Sequence, residues 1–105
     1  MPYAGGPMTE AMYYVLLALM NPSHGYRLMQ EIETVSRGRL RMGPGTLYGV
    51  LTRMQKDGLI RLDIDDGRRK VYRITDEGKQ ALQAELERLQ AMERDGEGMK
   101  GSDLP

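Results

Sequence analysis

Apolar residues follow helical spacing through the first half of the chain, switch to strict alternation, and then return to helical spacing. Two prolines and two glycines within residues 1–8 predict a flexible N-terminal arm. Thr9, with Glu10 in the following turn, predicts a capped helix running to about Met20. Met12, Val15, Leu16 and Leu19 form one face of that helix, but Tyr13, Tyr14, Leu17 and Met20 make its other sides apolar as well. A short surface helix normally keeps one polar face, so a second helix or a second chain is expected to cover this one. Asn21-Pro22-Ser23 ends it, and Ser23 is placed to cap a second helix from His24 to about Ser36, with Tyr26, Leu28, Met29, Ile32 and Val35 inside. A basic, glycine-rich loop, Arg37 to Gly45, precedes a third helix expected to be capped by Thr46 and to stop at Gly58. Leu47, Val50, Leu51 and Met54 are its core face.

The period then drops to two in Leu59–Ile64 and in Lys70–Ile74. Asp65-Asp66-Gly67 between them reads as a three-residue hairpin turn, which would pair Ile60 with Tyr72 and Leu62 with Lys70. Arg61, Asp63, Arg69 and Arg73 then lie on the wet face. Thr75 is positioned to cap a last helix over 76–93, with Asp76 and Glu77 at its positive end and a stripe of Leu82, Leu86 and Leu89. That stripe is too short for an independent coiled coil and must pack on something. Residues 94–105, glycine-rich and polar, are expected to be a disordered tail. The fold class is therefore mainly α (α+β): three helices and a two-stranded hairpin over 9–75, the order of a winged helix-turn-helix, followed by a C-terminal helix for dimerisation.

Charge sharpens this picture. The 105 residues carry 15 basic and 15 acidic side chains, but they are segregated. Residues 27–73 hold eleven basic against six acidic groups, whereas residues 74–105 hold four against eight. A basic middle flanked by neutral and acidic ends suits a polyanionic partner. Cysteine and tryptophan are absent, so a disulfide framework, a cysteine nucleophile and a thiolate metal site are excluded. His24 is the only histidine, and neither a carboxylate pair nor a phosphate loop stands out, so no catalytic residue, metal or cofactor is expected. The longest apolar run, Val15 to Met20, is far too short to span a bilayer, and no secretory signal is read at the start. A cytoplasmic location is the expectation.

On the third helix, Thr46, Gly49, Thr52, Arg53 and Lys56 point away from the core face, with Tyr48 and Gln55 at the flanks. Thr, Gln, Arg and Lys are types that read base edges or bind phosphate in a major groove, although any amphipathic helix also shows polar residues to water. Glycine inside a helix costs about 1 kcal/mol, so Gly49 calls for a close approach either to nucleic acid or to a neighbouring helix. Arg68, Arg69 and Lys70 put three consecutive cations at the hairpin tip, where phosphate would relieve their mutual repulsion; edge protection would account for them as well. Arg39 and Arg41 are further candidates for phosphate contact.

Three segments resemble the PadR family of bacterial winged-helix transcriptional regulators. They are His24-Gly25-Tyr26-Arg27-Leu28; Gly45-Thr46-Leu47-Tyr48-Gly49-Val50-Leu51 with Lys56-Asp57-Gly58-Leu59-Ile60; and Arg69 through Gly78. The resemblance covers about Met8 to Met92. It implies a homodimer in which the C-terminal helix packs on the partner's N-terminal helix, with Met12, Tyr13, Leu16, Leu17, Met20, Leu82, Leu86 and Leu89 as interface candidates. It also implies repression from a palindromic operator, on double-stranded DNA, with recognition helices about one DNA turn apart. Some members bind small aromatic effectors between subunits. This chain lacks the tryptophan that drug-binding members stack on and has a short C-terminal region, which weighs against such sensing. The nine methionines would suit an adaptable pocket or serve as core and interface filler. The rival function is a winged-helix module that docks on another protein through its apolar first helix and binds no DNA.

Overall fold

The computed structural model describes residues 5–65 and 69–101. Its elements run α1 (Glu10–Ala18), β1 (Ser23–His24), α2 (Gly25–Val35), α3 (Pro44–Lys56), β2 (Ile60–Asp65), β3 (Lys70–Ile74) and α4 (Asp76–Lys100). The Thr9 side chain caps α1 by accepting the Met12 N–H at 3.1 Å, as its sequence position predicts. One core joins all of this: Val15, Leu16 and Leu19 of the first helical segment meet Leu28 and Ile32 of α2 and Leu47, Leu51 and Met54 of α3, with Leu59, Ile60, Tyr72, Ile74 and Leu82 closing it from below. The helical periods of α1 and α3 supply these residues directly. Val50 is half-buried at the edge.

Several expectations change on contact with the tertiary structure. The N-cap of α2 is His24, not Ser23, because Ser23 belongs to a two-residue strand that pairs with Tyr72 of β3. Ser23 is buried, and its hydroxyl donates at 3.3 Å to Glu31, whose same oxygen accepts from Arg27 at 2.8 Å. A two-residue strand has no detectable alternation, and only pairing with β3 creates it. The sheet is therefore three-stranded and antiparallel, in the order β1-β3-β2. Tyr26 and Val35 are exposed, since α2 meets the core along the line of Leu28 and Ile32, with Met29 half-buried beside them. Gly43 rather than Thr46 is the N-cap of α3, with Pro44 at the first helical position, where a missing N–H costs nothing. At the other end Gly58 has φ +79 and follows the C-cap Asp57, as predicted.

In the hairpin, Ile60 pairs with Ile74 and Leu62 with Tyr72, two residues further along β3 than a three-residue turn would give. Side chains alternate with period two, so a slip of two leaves the same residues facing the core. A bulge between Leu62 and Ile64 then sets Ile64 opposite Val71, on the outer face, where Ile64 is exposed. Arg61 and Arg73 lie directly opposite one another, and the Asp63 carboxylate sits 3.8 Å and 3.7 Å from their guanidinium nitrogens, relieving a like-charge pair. Of the predicted turn Asp65-Asp66-Gly67, Asp65 ends β2, and Asp66 and Gly67, with Arg68, lie outside the described residues.

Among the described residues, order reaches further toward each end than expected. Met8 is buried in the core, so the arm is anchored at its last residue. The last helix continues past residue 93 to Lys100. Each added residue on an established helix gains a hydrogen bond without a new nucleation cost, which outweighs the penalties of Gly96 and Gly98. Glu85 of α4 is only 5% exposed, and its carboxylate accepts from Arg88 at 2.9 and 2.6 Å. That hydrogen bonding from Arg88 holds its pKa below the ordinary value of 4.5, against the effect of burial and with help from the Met8 N–H.

Two stability predictions follow. Gly78 lies so close to Leu59 that an added Cβ would strike the Leu59 carbonyl oxygen and approach Ile74 Cγ1 at 2.7 Å. Gly78→Ala, normally a helix-stabilising change, should therefore destabilise by about 2 kcal/mol, read as a lower urea midpoint. Glu85 contributes stability that is present above its ordinary pKa and lost as pH falls through its lowered folded-state value. Glu85→Gln should be less stable than the parent at neutral pH, with the gap closing as pH falls below the ordinary Glu pKa of 4.5 and through the lowered folded-state value; a constant gap across that range would remove Glu85 from the acid response.

Candidate nucleic-acid interface

The outer surface of α3 begins one residue before the sequence suggests. Because Gly43 caps the helix, Gly45 lies in the first turn, and 100° per residue puts Gly45, Gly49, Thr52 and Lys56 along the line opposite the buried Leu47, Leu51 and Met54. A Cβ built on Gly45 or Gly49 would meet nothing within 4 Å. A tight helix contact therefore does not explain Gly49; its backbone is bare toward solvent. Gly45 escapes a reading from sequence alone because Thr46 looks like the better cap, although the i, i+4 glycine pair is visible there.

The neighbouring side chains are partly engaged. Thr46, Thr52, Arg53, Gln55 and Lys56 are exposed. The Thr52 hydroxyl donates to the Tyr48 carbonyl at 2.8 Å, which leaves its lone pairs and methyl outward. Arg53 Nε lies 3.4 Å from Asp57. Tyr48 is less free than the helical wheel suggests: its hydroxyl lies where a side chain on Gly25 would stand, so the ring bridges α3 to the start of α2 while remaining 44% exposed.

Around this helix, Arg39 pairs with Glu10, and Arg41 Nε lies 3.4 Å from Glu33. Both are surface pairs, worth at most about 1 kcal/mol and readily exchanged for a stronger anion. On the hairpin, Arg69 and Lys70 are exposed, whereas Arg68 lies outside the described residues. Arg61 and Arg73 extend the positive surface down the outer face of the sheet.

The proposed partner-facing residues divide sharply. Leu16 is completely buried and Leu82 nearly so within their own chain, because both serve the core, and neither has surface left to offer a second molecule. Met12, Tyr13 and Leu17 are half-buried, and Met20, Leu86 and Leu89 are exposed. Met92 and Met99 continue the exposed apolar line of α4. No helix among the described residues is long and apolar enough to cross a membrane.

Comparison with known proteins places this architecture. Residues 15–84 match the model of the transcriptional regulator PadR-like family. The chain is 41% identical over 78 residues to the transcriptional regulator Rv3488 of Mycobacterium tuberculosis, covering 71% of this chain and 70% of that protein. It is 32% identical over 71 residues to the transcriptional regulator YqjI of Escherichia coli, covering 68% of this chain and 34% of that protein. A 37.1 kDa protein of a Streptomyces fradiae transposon is 40% identical over 77 residues, 72% of this chain and 22% of that protein. The chain thus spans only a fifth to a third of the length of these last two relatives. Among solved structures, a PadR family regulator from Eggerthella lenta superposes with a TM-score of 0.68 at 30% identity, covering 88% of this chain and 82% of that one. The winged-helix architecture, the matched span and these relatives together make the chain a member of the PadR-like family of transcriptional regulators, a family of regulators rather than of enzymes.

Proposed function

We propose that the protein binds double-stranded DNA as a homodimer and represses transcription from a palindromic operator. The observation that carries the reading is the bare outer line of α3, where Gly45 and Gly49 face open space on a helix whose opposite side is locked into the core. A major groove about 12 Å wide accepts one helix, and two glycines let the backbone sit deep in it. Thr46, Thr52, Arg53 and Lys56, with the exposed edge of Tyr48, then reach base edges and flanking phosphates. Arg68, Arg69 and Lys70 hold the wing on the adjoining backbone, and Arg39 and Arg41 exchange their acidic partners for phosphate. The dimer forms through the exposed line Leu86, Leu89 and Met92 of α4 against Met12, Tyr13, Leu17 and Met20 of the partner's first helical segment. Two-fold symmetry of the dimer calls for two-fold symmetry in the operator.

Fluorescence anisotropy against duplexes selected by the protein from a random pool tests the DNA reading. Gly49→Ala should raise thermal stability by about 1 kcal/mol and weaken binding to the selected duplex, because the methyl group enters the groove. A variant that is stabilised and binds as the parent does would take α3 out of the groove. Selection of no duplex even at low salt would favour the protein-docking alternative. Leu86→Asp with Leu89→Asp replaces side chains that are 38% and 37% exposed, so the chain should stay folded. Sedimentation should show a monomer in place of a dimer, with affinity for the palindrome falling at least tenfold; an unchanged dimer would place the interface elsewhere.

A further inference from the structure

The carboxyl end of α3 and the amino end of α4 are seventeen residues apart along the chain, yet they meet at one side chain. α3 closes with the paired bonds of a Schellman turn: the Gly58 N–H donates to Gln55 at 3.1 Å and the Leu59 N–H to Met54 at 3.0 Å. This turn presents the carbonyls of Gly58 and Leu59 to β3's end. The Thr75 hydroxyl donates to the Gly58 carbonyl at 2.6 Å, and the Thr75 N–H donates to the Leu59 carbonyl at 3.0 Å. The same hydroxyl oxygen accepts the Gly78 N–H at 3.0 Å and so caps α4. Gly78 seats directly on Leu59 with no room for a side chain. One hydroxyl thus completes the N-terminus of α4 and clamps the end of α3.

We infer that Thr75 is a specificity-determining positioning residue: its hydroxyl fixes the angle between the recognition helix and the dimer helix, and so sets the half-site spacing the protein accepts. This rests on the DNA-binding dimer proposed above. In such a dimer α4 relates the two subunits, whereas α3 enters the groove; α4 also packs on α1 and β3, and the Thr75 hydroxyl ties its first turn directly to the end of α3. Half-sites on B-DNA rotate by about 34° per base pair, so a joint held at one angle discriminates against a spacing wrong by a single pair.

The two roles of the hydroxyl separate by substitution. Thr75→Ser keeps donor and acceptor. Thr75→Asp keeps a strong helix cap but has no proton to give the Gly58 carbonyl. The measurement is the ratio of affinities for the selected palindrome and for versions lengthened or shortened by one base pair between half-sites, with oligomeric state and thermal midpoint recorded in parallel. Thr75→Ser should preserve the ratio, and Thr75→Asp should lower it about tenfold while remaining a dimer, the scale of one hydrogen bond lost. If Thr75→Asp does not fold, Thr75→Ala, which also loses the clamp, is read in its place and should lower the ratio likewise. A ratio equal to the parent's, even with weaker binding overall, would overturn the inference. Failure of the parent protein itself to select a duplex would overturn the DNA-binding reading beneath it, a result distinguishable because it precedes any substitution.

Discussion

The contact between Leu59 and the start of α4 governs how this protein is put together. The Leu59 side chain is buried in the core, its N–H closes α3, its carbonyl receives the Thr75 N–H, and Gly78 rests against it without a Cβ. Four constraints converge on one residue because the chain must turn from a helix into a strand there and, seventeen residues later, return from a strand into a helix at the same place. Any side chain at position 78 would prise the two apart. The close approach also brings Leu82 into the core, which ties α4 to the winged-helix domain rather than leaving it a tail.

With that joint closed, the domain can carry an unusual third helix. α3 buries Leu47, Leu51 and Met54 completely or almost so, and this anchorage tolerates two glycines on the opposite side. Glycine weakens a helix by leaving its backbone unrestrained and exposed, so a helix this short would not survive two such residues without tertiary support. The surface charges follow the same economy. Arg39 and Arg41 each rest against a carboxylate in an exposed pair of small net worth, and the exposed Arg53 lies against the half-buried Asp57. Such pairs keep the cations oriented without holding them strongly.

Much of this was legible in the sequence. The four main helices, the two long strands, the caps at Thr9 and Thr75 and the stop at Gly58 follow from periodicity and from residues whose local hydrogen bonding favours one position. The core faces of α1 and α3 were equally plain, because helical spacing alone puts Val15, Leu16 and Leu19, or Leu47, Leu51 and Met54, on one side. The sequence puts Tyr26 and Val35 inside and the structure leaves them exposed, because apolar character only makes a residue suitable for burial, and packing determines whether a neighbour arrives to bury it. Gly45 reads as loop in the sequence because Thr46 is a good cap in isolation; in the structure Pro44 at the first helical position moves the start upstream.

What the sequence determined by itself is local: which segments are helical, which alternate, where helices start and stop, and that positive charge gathers in the middle of the chain. What only the tertiary structure decided is relational. The strand at Ser23–His24 exists because β3 pairs with it, the hairpin register depends on the bulge at Asp63, and Leu16 and Leu82 face inward because this chain's own core claims them before any partner can. The physical reason is range. Caps, turns and periodicity act over a few residues, whereas pairing and burial act between segments that only the folded chain brings together.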